Sequence, residues 1–354
     1  MKAYWWILGL LIIGGLMPGY AADTTAVTVS EGVLGPCLIK LAVPAKWNGQ
    51  LLLIAHGMRG DKEPLSADFS TETLLFKTLL QDGWLIASTS YRRNGYIIDD
   101  ALEDIDLLRK HVIATYGQPK RILLVGGSMG GDIVVLLAER HPDQYAGALS
   151  EGAALVFAPK KYTFAPSVPI LFLCTPDEIA DKRDYIAKAK ATPLCPVLWY
   201  VKREGHCRFN DQEELAAFRG LLSFADSGKC NTEKDITVEV PPPPSTAIFA
   251  DGAAKANISK IYANSGSLDT ALVKADFDKL GIKRGTRFNL TCQQTTVSVL
   301  YGVSYSDVPT GDWIAFVMTD GYVRIARNWA NANEVLKGKV GDAFTIAAPP
   351  ATQP

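Results

Sequence analysis

Read as apolar and polar positions, the chain has two rhythms. Up to about residue 230, short apolar runs alternate with stretches of helical period; past about residue 240 only short strand-like runs recur. Gln50 to Ala55, Trp84 to Ser90, Ile122 to Val125, Ala146 to Ala154, Pro169 to Cys174 and Val197 to Val201 are rich in β-formers. Runs of that kind suit strands buried on both faces of a parallel sheet. Thr71 to Gln81, Gly131 onward, Asp184 to Ala191 and Gln212 to Phe224 read as helices. So does the stretch to about Tyr116 with Leu102, Ile105, Leu108 and Val112 on one face, opened by Asp100 and Glu103 at capping-box spacing. Val27 to Val43 reads as one or two strands around a Gly35-Pro36 turn. Strand and helix alternating at this spacing predict an α/β fold with a doubly wound, mostly parallel sheet. The Val240-Pro-Pro-Pro-Pro-Ser245 stretch must be extended and stiff. After it come Arg287 to Thr291, Thr296 to Leu300, Trp313 to Met318, Tyr322 to Ala326 and Ala343 to Ile346, separated by Gly and Asp turns. They predict a second, smaller β-rich domain. The expected division is 23–235, a proline-rich linker over 236–247, and 248–348.

At one place the period changes abruptly. Ile122 to Val125 runs into Gly126-Gly127-Ser128-Met129-Gly130, and from Gly131 the spacing is helical. A strand turning sharply into a helix around G-x-S-x-G is a nucleophile elbow. The turn forces strained angles on Ser128, and side chains at 126 or 130 would clash. It lifts the Ser128 hydroxyl clear of the sheet and aims the Met129 amide at the same spot.

A serine nucleophile needs a base, and the base an orienting acid. His111 lies within a helix and His141 at a helix end; both read as structural. His56 ends a strand before a glycine-rich loop, where its backbone is more useful than its ring. His206, in Arg203-Glu204-Gly205-His206-Cys207 after a strand, is the best base. Thr175-Pro176-Asp177-Glu178 follows the strand Ile170 to Cys174, at the sheet edge where active sites of open parallel sheets lie. Asp177 is the favoured orienter, with Glu178 the alternative. The order Ser128, Asp177, His206 is that of the α/β-hydrolases.

Composition changes the picture little. Lys plus Arg is 36 against Asp plus Glu 37, which gives no electrostatic case for nucleic acid. The apolar run Ala3 to Met17, behind Lys2 and ahead of Pro18-Gly19, is short for a membrane span. With the small residues up to Ala22 it reads as a cleaved signal peptide over 1–22, so the protein is expected to be exported, periplasmic or extracellular, with no membrane span after cleavage. Six cysteines in an exported chain permit disulfides. The sequence-local pairs are Cys174 with Cys195 and Cys207 with Cys230. No metal-ligand spacing and no cofactor motif is present. Trp329, Tyr301, Tyr305 and Tyr322 read as core aromatics.

Two resemblances extend this reading. WNG at 47–49, LLLIAHG at 51–57, GGSMGG at 126–131, the strand-end acid and Gly205-His206 resemble secreted serine esterases and prolyl-oligopeptidase-like hydrolases over residues 25 to 230. The resemblance implies Ser128 as nucleophile, His206 as general base and acid, Asp177 as its orienter, and the Met58 and Met129 amides as oxyanion hole. The substrate would be a small-molecule ester or a short peptide. The short stretch between Ala154 and Pro169 leaves no room for a large lid. Ser306-Asp307-Val308-Pro309-Thr310-Gly311-Asp312 and TDGYVRIARNWANANEVLKGKVGD at 319–342 are similar to the C-terminal β domain of S-adenosylmethionine hydroxide adenosyltransferases. That resemblance implies an adenosyl contact at Arg327, Asn328 and Ala330. The family's N-terminal domain, with its chemistry, is absent, so adenosyl transfer does not carry over. The rival to an enzyme is a binding protein whose β domain recognises an adenosyl-type ligand or a protein.

Overall fold

The computed structural model describes residues 26–191, 194–229 and 232–348. The expected signal peptide lies outside the described residues.

The first unit is built in the predicted alternation. Its elements are β1 (Val27–Leu34), β2 (Cys37–Pro44), β3 (Gln50–Ala55), α1 (Leu74–Gln81), β4 (Leu85–Thr89), α2 (Ile98–Tyr116), β5 (Arg121–Gly127) and α3 (Met129–Arg140). Then follow β6 (Gly147–Glu151), β7 (Ile170–Cys174), α4 (Ile179–Lys188), β8 (Val197–Tyr200), α5 (Asp211–Ser227) and β9 (Lys234–Asp235). The sheet order is β1-β2-β4-β3-β5-β6-β7-β8-β9, with β1 and β2 antiparallel to their neighbours and the rest parallel. Successive residues of the central strands face opposite cores. Leu51, Leu53 and Leu124 join the apolar cluster under α2 and α3; Leu52, Leu123 and Val125 join the one under α1 and α5. This two-faced burial is why those strands read as unbroken apolar runs.

The second unit contains β10 (Ile248–Ala250), β11 (Ala253–Ile261), β12 (Leu268–Val273), α6 (Lys274–Lys279), β13 (Arg287–Cys292), β14 (Thr295–Tyr301), β15 (Trp313–Val317), β16 (Tyr322–Arg327), α7 (Asn333–Leu336) and β17 (Ala343–Ala347). Pairing of β11 with both β12 and β17 closes a seven-stranded barrel around its own core of Phe277, Phe288, Ile325 and Ile346. The stretch before it is extended, and Pro243 lies against Gly321 of the barrel.

Three expectations change. Helix α2 opens at Ile98, with no side-chain cap on Ile97. Asp100 and Glu103 instead hold Arg93 and Arg92, Glu103 at 2.8 Å. The aromatic set divides: Tyr301 is buried in the barrel, but Tyr305, Tyr322 and Trp329 are exposed. The two expected disulfides are not formed, because Cys174 and Cys207 are both free thiols. Cys174 is turned into the core under α3, where burial pushes its thiol far up, and Cys207 faces His206. Cys230 lies outside the described residues.

Candidate active site

The elbow forms as its glycines require. Ser128 has φ 56° and ψ −125°, a backbone conformation costly for a residue with a side chain. Its N–H donates to Glu151 O at the end of β6 (2.8 Å), and its carbonyl accepts from Gly131 and Asp132 at the start of α3. A side chain at 126 would run into Gly130 O, and one at 130 into Ala55 O. Both obstacles are backbone, so neither position can yield.

His206 arrives from the loop after β8. Its Nε2 stands 2.8 Å from Ser128 Oγ and its Nδ1 2.5 Å from Glu178 Oε1. With Nδ1–H donated to the carboxylate, Nε2 is free to accept the serine hydroxyl. The loop is held on both sides of the ring. Arg203 forms a bidentate pair with the buried Glu213 (2.7 and 2.9 Å) and also donates to Arg208 O. Gly205 and Cys207 both take left-handed conformations, φ 99° and 51°.

The residue on His206 is Glu178 and not Asp177. Asp177 is exposed, and no hydrogen bond or ion pair among the described residues reaches its carboxylate. The cause is local. Residues 176–178 form one 3-10 turn after Thr175, and the Glu178 carboxylate folds back to accept Thr175 N–H at 2.9 Å. It then accepts Cys207 N–H (3.0 Å) and His206 Nδ1–H. Burial works against its charge, yet His206 and those two N–H groups together hold its carboxyl below the ordinary range. The signal was present: Thr175-x-x-Glu178 has capping-box spacing, which directs the third residue of the turn inward and the second outward.

Cys207, which sequence reasoning used only for a disulfide, touches the same cluster. Its Sγ is 3.6 Å from His206 Nε2, and a side chain on Gly152 would collide with it. Glu178, His206 and Cys207 offer an O, an N and an S within 4.8 Å of one another, a spacing a metal ion could use. Burial, then Glu178 and Glu151, push the Cys207 thiol well up. Both His206 nitrogens are already engaged, by Glu178 and by Ser128.

The loop after β3 passes directly against Ser128. A Cβ on Gly57 would lie 3.2 Å from Ser128 Cβ. His56, before it, stacks on Tyr91 with centroids 4.0 Å apart, and its carbonyl accepts Tyr91 Oη–H. Burial, then Arg59, push His56 down to about 4, so its ring serves as neutral packing. Met58 follows on this loop, 41% exposed, and Met129 is the first residue of α3.

The three resemblance-implied residues of the barrel stand together, but their polar groups turn inward. Arg327 Nε donates to Gly311 O (2.9 Å), Asn328 Nδ2 to Val308 O (2.8 Å), and Ala330 bridges back to Arg327. The barrel also touches the loop that carries His206. Arg208 donates to Val317 O and lies over Phe316 at 5.5 Å, and Glu204 pairs with Arg284.

With this geometry in hand, the likenesses to known proteins fall into place. Residues 89–219 match the sequence model of the family described as serine aminopeptidase, S33, and residues 265–345 that of the SAM hydroxide adenosyltransferase C-terminal domain. An esterase from Pyrococcus furiosus is similar at 12% identity and TM-score 0.44, over 59% of this chain and 95% of that one. A dienelactone hydrolase from Anabaena variabilis is similar at 16% identity and TM-score 0.41, over 57% and 95%. An uncharacterized conserved protein from Thermotoga maritima is similar at 16% identity and TM-score 0.28 over 41% of this chain, which spans 55% of its length. No curated protein sequence matches this chain at a significant level. The chain joins an α/β-hydrolase fold, matched in part by the serine aminopeptidase S33 family, to a domain similar to the C-terminal domain of S-adenosylmethionine hydroxide adenosyltransferases.

Proposed function

We propose that the protein is an exported serine hydrolase that cleaves a carboxylic ester through an acyl-enzyme on Ser128. The observation that carries this reading is the continuous hydrogen-bonded row Ser128 Oγ, His206, Glu178, at 2.8 and 2.5 Å. In the first half-reaction Ser128 Oγ attacks the carbonyl carbon while its proton passes to His206 Nε2. The carbon–oxygen ester bond breaks, and Nε2 returns that proton to the departing alcohol. Water then attacks the acyl-enzyme by the same route and restores Ser128. Glu178 keeps Nδ1 as the donor and stabilises the imidazolium formed in each transition state. The amides of Met129, among the unpaired first N–H groups of α3, and Met58 serve the oxyanion.

Replacing Ser128 with alanine tests the reading. Hydrolysis of p-nitrophenyl acetate should fall on the order of a thousandfold or more, with the fold intact. Wild-type turnover by the variant would refute it.

A further inference from the structure

The barrel does more than trail behind the hydrolase unit: it reaches both loops that flank the triad. On one side, Gly57 presses on Ser128, and three residues later a Cβ on Gly60 would lie 3.4 Å from Trp329 Cε3. On the other, a Cβ on Gly205, the residue before His206, would lie 3.1 Å from Val303 Cγ1. The seam between the two units therefore runs alongside the nucleophile and its base.

We propose that the substrate binds in this seam, and that Trp329 selects esters bearing an aromatic group. The inference rests on the serine-hydrolase reading and names its substrate class. Trp329 has φ 53°, a left-handed backbone that a bulky residue rarely adopts. Strain of that kind is kept where a side chain must be held in one place, ligand clamps included. Its indole is no part of the barrel core: the ring is 47% exposed and rests on the Gly60 backbone. Its neighbours Arg327 and Asn328 use their polar groups on Gly311 and Val308. What this loop presents toward the hydrolase unit is the flat apolar ring.

The rest of the edge matches it. Met58, Tyr96 and Phe157 are 41%, 47% and 72% exposed. They follow β3, β4 and β6, at the carboxyl ends of parallel strands, the edge on which Ser128 stands. Tyr96 and Phe157 meet edge-to-face with centroids 6.4 Å apart. Exposed large apolar side chains gathered at one edge mark a surface that something apolar covers. Aromatic rings favour an aromatic occupant through offset stacking and edge contacts.

The test compares three esters by pH-stat: ethyl acetate, ethyl 3-phenylpropanoate, with the ring on the acyl side, and benzyl acetate, with it on the alcohol side. The full chain should prefer at least one aromatic ester. Trp329→Ala should reduce that preference, as the ratio of kcat/KM to that of ethyl acetate, by about tenfold and mainly through KM. Trp329→Phe should retain most of it, which separates a lost ring from a disturbed seam. An unchanged ratio for both aromatic esters in Trp329→Ala overturns the proposal. Failure of the underlying reading looks different, because Ser128→Ala would then hydrolyse all three esters at the wild-type rate.

Discussion

Glu178, the acid of the proposed triad, is the sharpest place to perturb. Glu178→Gln keeps the shape of the side chain and removes its charge. The carboxylate lies 2.5 Å from His206 Nδ1, and its side chain is 10% exposed, so solvent screens the pair only in part. Two unit charges at that distance in an effective dielectric of about 20 attract by roughly 7 kcal/mol. The imidazolium charge is spread over its ring, which leaves about half, near 3 kcal/mol, for the transition state. That corresponds to roughly two orders of magnitude in rate. A glutamine amide also allows Nδ1 to accept, which places the proton on Nε2, where it blocks uptake from Ser128. Together these predict a fall in kcat of about a hundredfold to a thousandfold, with KM little moved. Asp177→Asn, at an exposed residue without a partner among the described residues, should stay within about twofold of wild type, as unpartnered surface changes do. Steady-state hydrolysis of p-nitrophenyl acetate at slightly alkaline pH reads both. An Asp177→Asn defect as deep as that of Glu178→Gln, or a Glu178→Gln variant of near wild-type kcat, refutes the reasoning.

Two further outcomes can be measured, one resting on the fold and one on the proposed export. His56 is pushed from 6.5 down to about 4 in the fold, so between those pH values the unfolded chain takes a proton that the folded one refuses. Stability then falls with acid by about 1.4 kcal/mol per pH unit, reaching about 3 kcal/mol at the lower end; denaturant unfolding of His56→Phe from pH 6.5 to 5 should show a shallower slope than wild type, and equal slopes remove His56 from the account. Export predicts that protein recovered from its native compartment begins near Asp23, and N-terminal sequencing that finds Met1 or Lys2 there contradicts it.

What was legible in the sequence depended on how local the physics was. The elbow is contiguous, and steric necessity writes it as Gly126, Ser128 and Gly130, so Ser128 is legible in the sequence alone. The central strands read plainly because burial on both faces demands unbroken apolar runs. His206 emerged from chain order. Asp177 was preferred over Glu178 because position after a strand does not say which way a turn faces; the Thr175 to Glu178 spacing does, through the backbone bond it permits. Strand β11 is hard to read because Ala253 to Ile261 alternates small apolar residues with Lys, Asn and Ser, a weak period-two signal. Trp329 reads as a core aromatic by residue type, but it stands in the two-residue turn after β16, between the paired Arg327 and Ala330, where a side chain is left in solvent.

The central claim is that Ser128 is an activated nucleophile. The full chain treated with a fluorophosphonate, digested and sequenced by mass spectrometry answers it directly. The account predicts one stoichiometric adduct on the peptide carrying Ser128, lost in Ser128→Ala and sharply slowed in Glu178→Gln. An adduct on Cys207 or on another serine, or no adduct in protein that still hydrolyses esters, contradicts it.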